Sequence, residues 1–135
     1  DTGKRWGNPI EYDGIFIDTV SNILTNKLTA LISRDEPKDV FDIVTISENY
    51  SFNWDEVFSH TVEKAFINEP ELSIRLKNFP VELLEGKKWL KTTVDSSKFM
   101  EKVETIVRDF TFARDNSLGS SRKSITEAKP VKVQE

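Results

Sequence analysis

Beyond Asp18 the chain repeats apolar side chains, almost throughout, at the spacing of an α-helix. The clearest case runs from Phe99 to Ala113, where they form one stripe over about five turns. Only one short run, Ile15 to Ile17, has the continuous apolar character of a strand. Such a succession buries its apolar faces by packing helix on helix. The sequence therefore predicts a mainly α fold, a helical bundle of about five to six helices with one short N-terminal strand.

Capping residues and a proline set the predicted limits of the first two helices. Asp18 or Thr19 is placed to cap a helix that runs to about Arg34. Pro37, a residue type favoured in the first turn, opens a second helix that runs to about Glu48. Because only two residues separate Arg34 from Pro37, the helices are predicted to fold back on each other as a hairpin.

Further helices are predicted in the rest of the chain. Asn53 and Glu56 have the spacing of a capping box ahead of a third helix. The less regular stretch at 71–91 is expected to hold two short helices, because Pro80 interrupts it. A cap at Asp95 or the following serine begins the last and longest helix.

The strand at 15–17 has no pairing partner that the sequence reveals. Its sheet is either missing from this chain or supplied by another one, and we expect the strand to pack on the long helix or to pair with the same strand of a second copy in a homodimer. From residue 119 the sequence offers few apolar groups to offset the entropy of ordering, which predicts a flexible tail. The predicted organisation is an extended segment at 1–18 that forms the end of a core domain, a helical region at 19–118 and a tail at 119–135.

Composition excludes several classes of function. With no cysteine and one histidine among 135 residues, thiolate chemistry and multi-histidine metal sites are excluded. The formal charge of −4 argues against a generally basic surface that binds nucleic acid without specificity. No apolar run has the length that a bilayer requires, and the polar start lacks the apolar region of a signal peptide. A cytoplasmic protein without a membrane partner is expected.

One charged residue interrupts the apolar face of the first predicted helix. Lys27 lies within about 60° of Leu24 and Leu31 on a helical wheel. An ammonium group on such a face must meet an anion, lose its proton or extend past the apolar surface to water. A structural salt bridge is one interpretation of this lysine, and a binding site for an anion is the other.

The second predicted helix supplies two acids that share one face. If the two helices fold back as a hairpin, Asp42 is closer than Asp39 to the height of Lys27 along the helix axes. Asp39 is also within reach of the lysine side chain. Asp39 stands in the first turn of the second helix. A carboxylate there accepts hydrogen bonds from unpaired backbone N–H groups and interacts favourably with the helix dipole, so a structural role is equally open to Asp39. Arg34 and Lys38 flank the turn, either as solvated charges or as ligands of a polyphosphate.

Together these residues resemble a known signature. The stretch KLTAL at 27–31, then Arg34, then KDVFD at 38–42 resembles the K-x-x-A-L … R … [RK]-D-x-x-D pattern of the AbiEii/AbiGii-type nucleotidyltransferase family, within the polymerase-β-like superfamily. The resemblance is close over about 14–46 and continues more loosely as far as the DNSL sequence at 115–118.

The resemblance implies a toxin of an abortive-infection or toxin–antitoxin system, with an antitoxin protein as partner. It implies the transfer of a nucleotide from a nucleoside triphosphate to an acceptor such as RNA. By the same resemblance Lys27, Arg34 and Lys38 bind the nucleotide. Asp39 and Asp42 are the catalytic acids on the helical side of the cleft. A lysine on an inward face is intelligible there, because its charge offsets the charge that develops in phosphoryl transfer.

The chain departs from the family pattern in one respect. Family catalysis uses a Gly-Ser and a following Asp-x-Asp that bind two Mg²⁺ ions, whereas the only Gly-Ser here begins at Gly119 and has no Asp-x-Asp after it. No metal site is therefore predicted in this chain. We expect the C-terminal helical part of such a protein, inactive alone. The alternative, from a different class, is a non-enzymatic helical module that binds a protein partner.

Overall fold

The computed structural model describes residues 10–12, 15–34, 36–64, 69–84 and 94–132. The prediction of a mainly α fold is confirmed, and the helices in these ranges are α1 (Val20–Ser33), α2 (Pro37–Asn49), α3 (Trp54–Lys64), α4 (Glu69–Lys77) and α5 (Ser96–Thr111). The strands are β1 (Ile10–Tyr12), β2 (Ile15–Asp18) and β3 (Val131–Lys132). Short 3₁₀ helices lie at Val81–Leu84, Ser117–Gly119 and Ile125–Glu127.

The first two helices form the predicted hairpin. The hydroxyl of Thr19 accepts a hydrogen bond from the backbone N–H of Asn22 at 3.2 Å and caps α1. Pro37 stands in the first turn of α2, where a proline removes no helical hydrogen bond. The end of α1 at Ser33 and that of α2 at Asn49 each lie one residue from the predicted limit. α1 packs along α2 and also contacts α3 and α4, which makes it the central helix of the bundle.

One apolar core joins the helices. Its largest member is Trp54, which is fully buried and makes edge contacts with Phe52 and Phe110 at ring-centroid distances of 4.9 and 6.1 Å. Other fully buried members come from all five helices and from the first 3₁₀ helix: Leu24, Leu28, Val40, Ile43, Val57, Leu72, Leu76, Leu84, Val103 and Ile106.

The stripe of α5 faces this core, as its periodicity predicted. The Asp95 carboxylate accepts a hydrogen bond from the backbone N–H of Lys98 at 3.2 Å and caps the helix. Four members of the stripe are buried: Phe99, Val103, Ile106 and Phe110. Ala113 was predicted to extend the stripe and does not. The helix ends at Thr111, and Ala113 is exposed with a φ of 53°.

The remaining helices follow the predicted order. The Asn53 side-chain oxygen accepts hydrogen bonds from the backbone N–H groups of Asp55 and Glu56 at 2.9 and 3.1 Å, and so caps α3. The two short helices predicted at 71–91 correspond to α4 and the 3₁₀ helix that follows it, and residues 85–93 lie outside the described ranges. No helix within those ranges combines the length and the apolar character needed to cross a membrane.

The strand predicted at 15–17 has its partners within the chain. β2 lies between β1 and β3 in an antiparallel sheet, with Ile17 opposite Ile10 and Asp18 opposite Val131. Our prediction of a lone strand, completed by a missing sheet, by the long helix or by a second copy, is therefore wrong. Ile15 to Ile17 pair with β1, and Ile17 and Asp18 pair with β3, so the strand has neighbours on both sides inside the molecule. The homodimer predicted through this strand assumed a free edge, whereas β1 and β3 lie on its two sides.

The segment after Gly119, predicted to be a flexible tail, packs on the helices as far as Lys132. The Ser51 N–H donates to the Lys123 carbonyl at 2.8 Å, and the Ile125 N–H donates to the Ser51 carbonyl at 2.9 Å. The Ile125 side chain is buried, and β3 closes the sheet. The prediction is wrong for these residues because backbone hydrogen bonds and one apolar anchor hold the segment, and composition reveals neither.

Candidate functional site

The α1–α2 hairpin brings together all five residues that carry the sequence signature. Lys27 projects from α1 toward α2, where its Nζ lies 3.3 Å from Asp39 Oδ1 and 3.1 Å from Asp42 Oδ2. The lysine thus bridges both acids, and the expectation that it reaches toward either of them is met. Arg34, just past the end of α1, and Lys38, in the first turn of α2, complete the charge cluster.

Arg34 holds Asp39 by two hydrogen bonds. Its Nε donates to Oδ2 at 3.0 Å, and its Nη2 donates to Oδ1 at 3.1 Å. These bonds, together with the charge of Asp39, raise the pKa of Arg34 above its ordinary value. A raised folded-state pKa stabilises the fold below the pKa of the unfolded group. The contribution of the arginine is therefore constant across neutral pH and is lost only in strong alkali.

Asp42 is shared by two lysines. Its Oδ2 lies 3.1 Å from Lys27 Nζ and 3.0 Å from Lys38 Nζ, and Lys38 stands four positions before it on α2. Asp42 therefore links Lys27 of α1 to Lys38 of α2.

The members of the charge cluster differ sharply in exposure. The Asp39 side chain is 1% exposed, whereas Lys27 is 22%, Lys38 49% and Arg34 58% exposed. Both oxygens of Asp39 are engaged by its two cations. A ligand that approaches from solvent consequently meets the three cations before it meets Asp39, whose visible role is to position Lys27 and Arg34.

The charge balance of the cluster favours an anion over a cation. Within the cluster three cationic groups share two carboxylates, which leaves an excess of one positive charge; the nearby charge of Glu36 also acts on Arg34 and reduces this excess at the turn. Mg²⁺ prefers carboxylate oxygens that are free to coordinate it, and here each carboxylate already meets two cations. No group of three or more metal-binding side chains occurs in the described part of the chain. The residues present do not fit the Mg²⁺ ions that the family resemblance implies.

A groove adjoins the charge cluster, and the sequence did not predict it. It has a volume of about 440 Å³, and Asp42 of the charge cluster is one of its lining residues. The α1 face contributes two apolar residues, and α2 contributes one side of four residues at helical spacing. The later chain contributes two more residues. The complete lining is Val20, Ile23, Asp42, Thr45, Ile46, Asn49, Tyr50, Lys123 and Val131.

Two of these groove residues lie in the segment that sequence reasoning assigned to a tail. Lys123 and Val131 reach the groove only because the chain returns to Ser51 and to β2 after α5. The spacing of Asp42, Ile46 and Asn49 along one side of α2 is the only local signal that pointed to a common surface.

The DNSL sequence at 115–118 holds the end of α2 in place. The amide nitrogen of Asn116 donates to the carbonyls of Ser47 and Tyr50 at 2.6 and 2.9 Å. Asp109 accepts hydrogen bonds from the backbone N–H and the hydroxyl of Ser117 at 2.8 and 3.0 Å. This buried polar junction fixes the last turn of α2 against α5 and thereby shapes one end of the groove.

Comparison with known proteins leaves the resemblance to rest on these residues alone. No protein-family model matches the chain, and neither a curated protein nor a solved structure matches it.

Proposed function

We propose that the chain is the C-terminal helical part of a nucleotidyltransferase-like toxin protein. In this proposal the complete protein acts in the cytoplasm and transfers a nucleotide from a nucleoside triphosphate to an acceptor such as RNA, with Mg²⁺ bound elsewhere. An antitoxin protein is its partner. The observation that carries the proposal is the convergence of the five signature residues in one cluster with an excess of positive charge.

The half-exposed cations are the phosphate ligands in this proposal. Arg34 offers a planar guanidinium that suits phosphate oxygens, and the two lysines act as point charges beside it. Asp39 and Asp42 keep these cations in one place before a nucleotide arrives, which lowers the entropy lost on binding. Asp39 is in this role a positioning residue, and Asp42, which lines the groove, is the more accessible acid.

A second candidate function is a non-enzymatic helical module that binds a protein partner. The observation that favours it is the pairing of all five charges within the cluster. If these charges serve only to hold the two helices together, the hairpin needs no ligand. The two candidates differ in whether an added phosphate group competes for the cations.

The first prediction is that ATP binds to the chain at low ionic strength and that Lys27→Met weakens this binding about tenfold. The fold should tolerate the substitution, because Asp39 keeps Arg34 and Asp42 keeps Lys38 as partners. We therefore expect the free energy of unfolding to fall by no more than about 1 to 2 kcal/mol. Titration calorimetry gives the affinity, and urea denaturation gives the stability.

The matched control is Lys102→Met. Lys102 pairs with Glu48 at 2.9 Å, and the control removes the same charge. It should leave the ATP affinity unchanged. Equal weakening of ATP binding by both variants would show that the effect of Lys27→Met comes from the change in net charge. An unchanged affinity in Lys27→Met, together with a large loss of stability, would favour the interaction module.

The second prediction is that the isolated chain does not transfer a nucleotide. Both signature acids are held by cations, so they do not offer the free carboxylate pair that a two-metal mechanism needs. The assay combines the chain with Mg²⁺, each labelled nucleoside triphosphate and an RNA acceptor, beside an active nucleotidyltransferase as positive control. A labelled product that a chelator abolishes would contradict this prediction.

A further inference from the structure

The groove beside the charge cluster has the character of a small-molecule site. Its volume of about 440 Å³ lies within the range of about 300 to 1,000 Å³ typical of ligand pockets. Its walls are mainly apolar, built by Val20, Ile23, Ile46, Val131 and the ring of Tyr50. Four polar residues complete the lining: Asp42, Thr45, Asn49 and Lys123. Apolar walls with a small number of polar groups are the pattern of a pocket that holds an organic body and orients it at a few points.

The charges at the groove favour an anionic ligand. Asp42 lines it, but this carboxylate is already bound by the ammonium groups of Lys27 and Lys38. Lys123, which also lines the groove, adds a further positive charge. A ligand with an apolar body in the groove would therefore place a negatively charged end beside Asp42, where the two lysines lie.

Asn49 provides an acceptor that selects among such bodies. Its Nδ2 donates to the backbone carbonyl of Thr45 at 2.7 Å. A carbonyl oxygen can only accept, so this bond fixes the orientation of the amide. The side-chain oxygen of Asn49 is left as an acceptor in a residue that lines the groove. An exocyclic amino group on a heterocycle is a suitable donor to this oxygen.

We propose that this groove binds the base and ribose of a nucleoside triphosphate whose phosphates contact Lys27 and Lys38, and that Asn49 favours a base with an exocyclic amino group. The inference rests on the proposed function, because that function supplies the phosphate contacts. It adds a base site and a preference that the sequence signature does not contain.

The test compares three ligands by titration calorimetry on the full chain. Tripolyphosphate carries the phosphates alone, ATP adds adenosine, and inosine triphosphate replaces the adenine amino group by a carbonyl. We expect ATP to bind at least about tenfold more tightly than tripolyphosphate and about tenfold more tightly than inosine triphosphate. Asn49→Ala should lower the affinity for ATP to that for inosine triphosphate and leave tripolyphosphate unaffected.

Asn78→Ala is the matched control, since Asn78 is exposed near the end of α4 and does not line the groove. It should leave all three affinities unchanged. Equal affinity for ATP and tripolyphosphate would overturn the base site while the proposed phosphate site stands. Equal affinity for ATP and inosine triphosphate, or retention of their difference in Asn49→Ala, would overturn the role of Asn49. Absence of binding by all three ligands would overturn both the inference and the proposed function.

Discussion

Gly119→Ala should destabilise the protein by about 3 kcal/mol, the upper end of the range typical of overpacking, although it adds a single methyl group. A Cβ at this position would lie 2.0 Å from the carbonyl oxygen of Tyr50 and 2.6 Å from that of Ser47. Both atoms belong to the backbone at the end of α2, so no side chain can rotate away to make room. Overpacking of this kind forces backbone shifts.

The effect should be steric, because the backbone of Gly119 does not adopt the left-handed conformation that excludes alanine. Urea denaturation of Gly119→Ala and of the neighbouring control Ser120→Ala measures it. Ser120 is exposed, and its replacement should change the free energy of unfolding by no more than about 0.5 kcal/mol. A stability loss in Gly119→Ala no larger than that of the control would show that the segment after α5 does not pack tightly against the end of α2.

Trp54→Ala should cost about 3 to 5 kcal/mol of folding free energy, the range typical of large aromatic side chains removed from a core. Trp54 is fully buried and packs edge-on against Phe52 and Phe110. Its loss would open a cavity where α3, α5 and the chain before α3 meet. The midpoint of chemical denaturation should fall accordingly, and α5 should lose amide-exchange protection near Phe110.

Two controls separate packing from hydrogen bonding at this position. The indole Nε1 of Trp54 has no hydrogen-bond partner among the described residues, so Trp54→Phe removes an unsatisfied donor and should cost much less than Trp54→Ala. Phe112→Ala removes an aromatic ring that is 64% exposed and should be nearly neutral. Equal losses in Trp54→Phe and Trp54→Ala would contradict this expectation.

Helices were predictable because their signals are local. The stripe of α5 and the caps at Thr19 and Asp95 each lie within a few neighbouring residues, and each has the predicted role in the structure. The contact of Lys27 with Asp39 and Asp42 was predictable for the same reason, because a two-residue connection leaves the hairpin few alternatives.

The sheet and the groove depend on contacts that are distant in sequence. β1 has only three residues, too few for a periodic signal. One local signal was present, because Asp13-Gly14 between β1 and β2 is a dipeptide typical of two-residue hairpins. No comparable signal marks the pairing of β3 with β2 or the approach of Lys123 to the groove.

Closure of the sheet by β3 has a consequence for biosynthesis. β2 precedes every helix, yet the strand beside it is the last element of the described chain. On the ribosome the helices emerge and pack before β3 is available, so β2 leaves the exit tunnel well before its second neighbour is translated. Nascent chains should therefore expose one edge of β2 to chaperones until Val131 and Lys132 have left the exit tunnel.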